Sequence, residues 1–141
     1  NDIREVPREF VAATGLEVVA KDELLERADF VSLNCDLNPT SYHLIGKQEL
    51  RRMKPSAHLI NTARGPIVEE AALVEALEER WIAGVALDVF EVEPLPVGSP
   101  LRVFENCLLA PHNANSSPEA ALRVHENTIR NLLIGLEASR R

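Results

Sequence analysis

Three observations predict an α/β fold, a parallel sheet with helices on both of its faces. Short apolar runs alternate with amphipathic stretches from one end of the chain to the other, the pattern of strands joined by crossover helices. Ile82 to Phe90 is almost unbroken apolar sequence, which suits a strand buried on both sides in such a sheet. The run Leu59-Ile60 stops at Asn61-Thr62, passes Arg64-Gly65-Pro66 and enters an acidic helix start at Glu69-Glu70. A strand that turns so sharply into a helix leaves Arg64 at its carboxyl end, the edge where open α/β sheets bind ligands.

The elements follow in order. Asn1 to Ile3 reads as the tail of a strand ending near Asp2. Arg4 to Thr14 reads as a short helix interrupted early by Pro7 and stopped by Gly15. Leu16 to Val19 is expected to be a short strand, and Asp22 to cap a helix over Glu23 to Ala28 with Leu24 and Leu25 facing inward. Phe30 to Asn34 is a β-type run, followed by a polar loop from Cys35 to Ser41 that Pro39 breaks. Gly46 to Met53 is a helix with Leu50 and Met53 on one face, stopped by Pro55. After the strand at Leu59, the helix Glu69 to Arg80 carries Ala72, Leu73, Ala76 and Leu77 at helical spacing, with acids early to suit the dipole. Pro94 to Pro100 is a proline-rich loop, Cys107 to Ala110 a last strand ending at Pro111-His112-Asn113-Ala114. Ser117 then caps a long helix with Pro118 at its first position. Its apolar residues Ala121, Val124, Leu132 and Leu136 share a face with Thr128, and the helix runs toward Gly135 and the basic tail Arg140-Arg141.

Bulk properties narrow the function classes. The 141 residues carry a formal charge of −7, with 45% hydrophobic and 26% charged residues. That argues against nucleic-acid binding, which needs clustered cations; Arg51-Arg52 and Arg140-Arg141 read as solvated helix ends. Cys35 and Cys107 are far apart in apolar settings and form no disulfide framework, so a reducing cytoplasm is the expected compartment. No apolar run reaches the length of a membrane span. The opening Asn1-Asp2, without an initiator methionine, suggests a piece of something longer.

Three strand ends carry groups that fit one chemistry: Arg64, then Asp88 with Glu91 and Glu93 beyond it, then His112. An arginine holds a planar carboxylate with two parallel hydrogen bonds. A histidine near neutrality gives or takes a proton, and an adjacent glutamate orients it and favours its charged form. Taken singly, each has a plainer explanation. Arg64 could cap a loop, Asp88 could cap a turn, Glu91 and Glu93 could be solvated charge, and His112 could be structural. His43, His58 and His125 read as structural, and no metal site is expected. Spacing alone reaches a plausible acid–base site and stops there.

The blocks Leu59-Ile60-Asn61-Thr62-Ala63-Arg64-Gly65-Pro66-Ile67-Val68, Gly84-Val85-Ala86-Leu87-Asp88-Val89-Phe90-Glu91-Val92-Glu93-Pro94 and Leu109-Ala110-Pro111-His112 resemble the signatures of the D-isomer-specific 2-hydroxyacid dehydrogenases. That family includes glyoxylate/hydroxypyruvate reductases and phosphoglycerate dehydrogenases. The resemblance runs from Glu23-Leu24-Leu25 to the last helix and implies a Rossmann-like NAD-binding domain, of which residues 1–141 would be the C-terminal part. It implies that Arg64, Glu93 and His112 are the catalytic arginine, glutamate and histidine. Thr62, Ala63, Arg64, Asp88, His112 and Ala114 would line the nicotinamide end of the cofactor, with Cys35, Leu37 and Asn38 against it from the other side. Asp2 resembles the acid that accepts the adenosine ribose hydroxyls and so favours NAD over NADP. The partners implied are a small 2-hydroxy or 2-keto acid and, in the intact protein, a second copy in a homodimer.

Two departures stand out. Many members place a histidine, one residue and a proline after the strand that here ends at Asn34-Cys35-Asp36. The six glycines, Gly15, Gly46, Gly65, Gly84, Gly98 and Gly135, form no G-x-G-x-x-G phosphate turn. That turn, the first strand and the substrate domain are therefore expected to precede Asn1, and this chain alone is expected to bind NAD weakly. The leading expectation is an oxidoreductase that moves hydride between NAD and a small 2-hydroxy acid. The alternative is an NAD-responsive corepressor scaffold of the same fold, because fold and site residues do not by themselves settle function.

Overall fold

The computed structural model describes residues 1–139 in two compact units, Asn1–Pro111 and the segment from His112 onward. The first unit opens with α1 (Arg8–Thr14), which starts after Pro7 and ends at Gly15 in the left-handed conformation that glycine adopts freely. Helix α2 (Lys21–Arg27) and strand β1 (Phe30–Leu33) follow, then α3 (Lys47–Arg52) and strand β2 (His58–Asn61). A one-turn 3₁₀ segment at Gly65–Ile67 leads into α4 (Glu70–Glu78), and β3 (Gly84–Leu87) and β4 (Cys107–Leu109) complete the sheet.

All four strands are parallel and lie in sequence order. The register puts Leu33, Asn61, Leu87 and Leu109 side by side, so the strands finish on one line. Every polar group just beyond those residues therefore starts from the same edge. The row before the finish (Ser32, Ile60, Ala86, Leu108) points to the opposite face, as the two-residue period requires.

The two faces differ. Val31, Leu33, Leu59, Val85 and Leu87 are buried beneath Leu25, Leu50, Leu73, Ala76 and Leu77 of the connecting helices. The core of this unit lies on that face. On the other face Phe30 and Leu108 stay 68% and 71% exposed, and Phe30 stacks on His58.

Several elements differ from the sequence expectation. Leu16–Val19 and Asn1–Ile3 are not strands, because neither finds a partner strand among the described residues. Asp22 does not cap α2; the helix begins two residues earlier than expected, and its N-cap Ala20 makes no side-chain bond. The long apolar run at Ile82–Phe90 is paired only over Gly84–Leu87, since Asp88 onward leaves the sheet. Within α4, by contrast, Ala72, Leu73, Ala76 and Leu77 are all buried as the period requires.

The second unit holds one long helix, α5 (Pro118–Ala138). Ser117 caps it by accepting the Ala120 N–H at 3.1 Å, with Pro118 at the first position as the sequence indicates. The helix continues through Gly135, and none of its residues is buried. The tail Arg140-Arg141, read as a solvated helix end, lies outside the described residues.

Candidate active site

Asn61, the last residue of β2, is 1% exposed, yet both ends of its side-chain amide are bonded. Its Oδ1 accepts the Ala63 N–H at 3.1 Å and its Nδ2 donates to the Arg64 carbonyl at 2.9 Å. The side chain thus builds the turn Thr62-Ala63-Arg64 from inside, using both ends of its amide. The Asp88 N–H donates to the Asn61 carbonyl at 3.0 Å, tying the end of β3 to the same residue. In the sequence Asn61 stands only as a polar strand end; an asparagine between an apolar run and a turn is the signal that points to this role.

The next residue, Gly65, cannot carry a side chain. A Cβ built there would lie 1.9 Å from the carbonyl carbon and oxygen of Phe90 and 2.5 Å from the Glu91 nitrogen. The Arg64 turn and the loop after β3 are therefore pressed together, backbone against backbone. On that loop the Glu93 carboxylate accepts the Phe90 N–H at 3.0 Å, which folds the acid back toward the contact. Arg64 is exposed, with its Nη1 donating to the Ala63 carbonyl at 2.6 Å. The sequence-predicted arginine and glutamate thus sit on two turns that touch.

A cleft of about 490 Å³ opens beside the Arg64 turn, lined by Leu33, Asn34, Cys35, Asp36, Leu37 and Thr62–Arg64. That size is within the range of small-ligand sites. Cys35, Leu37, Thr62, Ala63 and Arg64 of the expected cofactor contacts meet there. Asn38 does not line it. Its Oδ1 accepts from the Thr40 N–H and hydroxyl at 2.8 and 2.6 Å, while its Nδ2 donates to Asp36 at 3.3 Å. Buried Ser41 closes the same loop by donating to the Asp36 carbonyl at 2.6 Å.

Asp88 is buried at the end of β3, outside the cleft lining. Asp2 borders a separate depression with Ile3, Arg4, Val11 and Val18. Its carboxylate accepts the Arg4 N–H at 2.8 Å, and this bond, aided by the Arg4 charge, holds its pKa below the ordinary carboxylate value. His112 and Ala114 belong to the second unit; His112 is exposed and its backbone is left-handed, with φ 56°. Both cysteines are free thiols. Among the described residues no helix is long and apolar enough to cross a membrane.

The polar cleft beside the Arg64 turn opens at the strand-end edge where open α/β sheets take up ligands, while a glycine-rich phosphate turn is not in this sequence.

Residues 2–114 match the family model described as D-isomer specific 2-hydroxyacid dehydrogenase, NAD binding domain. The chain is 52% identical over 122 residues to a glyoxylate reductase of Thermofilum pendens, covering 86% of this chain and 36% of that protein. Among solved structures it is similar to a glyoxylate reductase from Paecilomyes thermophila, with a TM-score of 0.83 and 38% identity over 92% of this chain and 38% of that one. An NAD-complexed D-isomer specific 2-hydroxyacid dehydrogenase from Lactobacillus delbrueckii ssp. bulgaricus also superposes with a TM-score of 0.83, at 29% identity over 98% of this chain and 45% of that one. The chain thus spans 36% of the length of the Thermofilum relative and less than half of either solved chain. With its parallel Rossmann-like sheet and this match, the chain belongs to the D-isomer specific 2-hydroxyacid dehydrogenase family, as part of its NAD-binding domain.

Proposed function

We propose that the full-length protein carrying this chain reduces a small 2-keto acid to its D-2-hydroxy acid with NADH, glyoxylate being the first substrate to try. The observation that carries the reading is the backbone contact at Gly65 and Phe90, which sets the Arg64 turn against the loop bearing Glu93. Residues 1–141 are read as the C-terminal part of the NAD-binding domain. When bound, NADH supplies the hydride that reaches the carbonyl carbon.

In this reading Arg64 grips the substrate carboxylate with its guanidinium fork and polarises the neighbouring carbonyl. His112 gives its proton to the carbonyl oxygen as the alcohol forms, and takes it back in the reverse direction. Glu93 orients the imidazole. Thr62, Ala63, Cys35, Leu37, Asn38, Asp88 and Ala114 are the proposed cofactor contacts, and Asp2 accepts the ribose hydroxyls and prefers NAD to NADP. A cytoplasmic homodimer is the proposed setting.

The test is a panel of glyoxylate, hydroxypyruvate and pyruvate, each with NADH and NADPH, on the full-length protein. Oxidation of NADH with one of these acids is expected, and His112→Ala should abolish most turnover while leaving NADH affinity nearly intact. No turnover with any acid and either cofactor would overturn this reading.

A further inference from the structure

We propose that His43 is a positioning residue, holding the Arg64 turn and the Glu93 loop in one working geometry; this rests on the roles given to Arg64 and Glu93 above. His43 is on no strand end. It lies in the connection between β1 and α3, in a left-handed conformation (φ 50°) that is uncommon for a residue with a side chain. From there it reaches both sides of the site at once. Its backbone N–H donates to the Pro66 carbonyl at 2.8 Å, two residues past Arg64. Its Nε2 lies 2.9 Å from the Glu91 Oε1, two residues before Glu93.

The surroundings show that this pairing is built. The imidazole stacks on Tyr42, with centroids 4.0 Å apart and planes 18° apart, which fixes the ring's direction. Facing a carboxylate, Nε2 is the nitrogen that carries the proton. Glu91 is equally constrained, because the same Oε1 accepts the Glu70 N–H at 3.1 Å at the start of α4. The Glu91 N–H in turn donates to the Glu70 carboxylate at 3.4 Å. His43 and Glu70 therefore both bond Glu91, the residue that follows Phe90 at the Gly65 contact.

About a third of each side chain in the His43–Glu91 pair remains exposed, 32% on both sides. A pair so exposed contributes little to the stability of the fold. What it fixes is direction, and a displacement of about 1 Å in a reacting geometry costs on the order of a hundredfold in rate.

The experiment compares His43→Leu, His43→Gln, Glu91→Leu and the Leu/Leu double variant in the full-length protein, by kinetics with glyoxylate and NADH, NADH titration and thermal melting. His43→Leu is expected to lower kcat roughly ten- to a hundredfold, with NADH affinity and melting temperature nearly unchanged. His43→Gln, whose amide can still donate to Glu91, should recover most of the loss. The double variant should be no worse than the poorer single one, as for two residues acting as a unit. Unchanged kcat in His43→Leu, a loss that tracks melting temperature, a loss that glutamine does not rescue, or additive losses would each overturn the proposal. If the unaltered protein reduces no 2-keto acid, the functional reading falls and hydrogen exchange decides this one. His43→Leu should then speed exchange of both the Glu70 and Phe90 amides by about tenfold or more, and unchanged exchange at either would overturn it.

Discussion

Arg64 and Gly65 are neighbours with opposite requirements: the proposed reaction uses the long side chain of one, and the other can have none. Replacing Arg64 with Lys should raise KM for the keto acid and lower kcat together, because a point charge cannot form the two parallel bonds of the fork. Kinetics on the full-length protein check this, and survival of both constants would remove Arg64 as the carboxylate anchor. Gly65→Ala drives a methyl group into the Phe90 carbonyl, so a loss of about 1–3 kcal/mol is expected, as for other overpacked sites. Denaturant titration measures it. Cys107 offers a chemical check on the same region. Burial, then the charge of Glu70, pushes its thiol up to about 11. It should therefore resist iodoacetamide at pH 8 and react rapidly only as the solution approaches pH 11, which intact mass after timed quenching will show. Some of this was legible in the sequence. Arg64 and Glu93 stood in recognisable blocks, and Asn61 could have been found. The His43–Glu91 bond spans 48 positions, and Glu91 read as solvated charge because one-dimensional spacing carries no information about a partner so remote.

At the scale of elements, the helices whose burial follows a 3.6-residue period were the easiest to read, as α4 shows. The stretch Leu16–Val19 has strand-like sequence but forms no strand, because strand formation depends on a partner that the stretch itself does not contain. The start of α4 makes a pH-dependent prediction. Burial raises the Glu70 pKa, outweighing the hydrogen bond from the Glu91 N–H, and the Glu91 charge adds to the rise. A carboxyl whose folded pKa is raised binds its proton more tightly in the native state than in the unfolded chain. Its favourable contribution is therefore present below its ordinary value of 4.5 and lost as pH rises through the folded value. Glu70→Gln should melt higher than the parent at pH 7, and the advantage should vanish below pH 4.5. Calorimetry at the two pH values tests the sign. At α5, Ser117→Ala removes the cap on Ala120 and should cost about 1 kcal/mol of helix stability, visible as a lower helical signal on heating.

For the molecule as a whole, exposed apolar surface is the dominant feature. One sheet face presents Phe30 and Leu108, and α5 leaves Ile129, Leu132, Leu133 and Leu136 in solvent. Apolar surface of that kind marks contact sites or a tendency to associate. The 141-residue chain expressed alone should therefore show concentration-dependent association in sedimentation velocity. Replacing Phe30 and Leu108 with serine should reduce it. Added NADH should produce only weak fluorescence enhancement, since the sequence has no glycine-rich turn to hold the phosphates.

The common finishing line of the four strands also limits how such a protein can vary in length. Deleting one residue inside β2 or β3 would pull its terminal group back by about 3.3 Å and turn the remaining side chains over. The turns that carry Arg64 and Glu93 would then no longer leave the sheet at the same height. Insertions and deletions should instead accumulate at the far rim, in segments such as Arg80–Ala83 and Val103–Asn106, where added length leaves the working edge untouched.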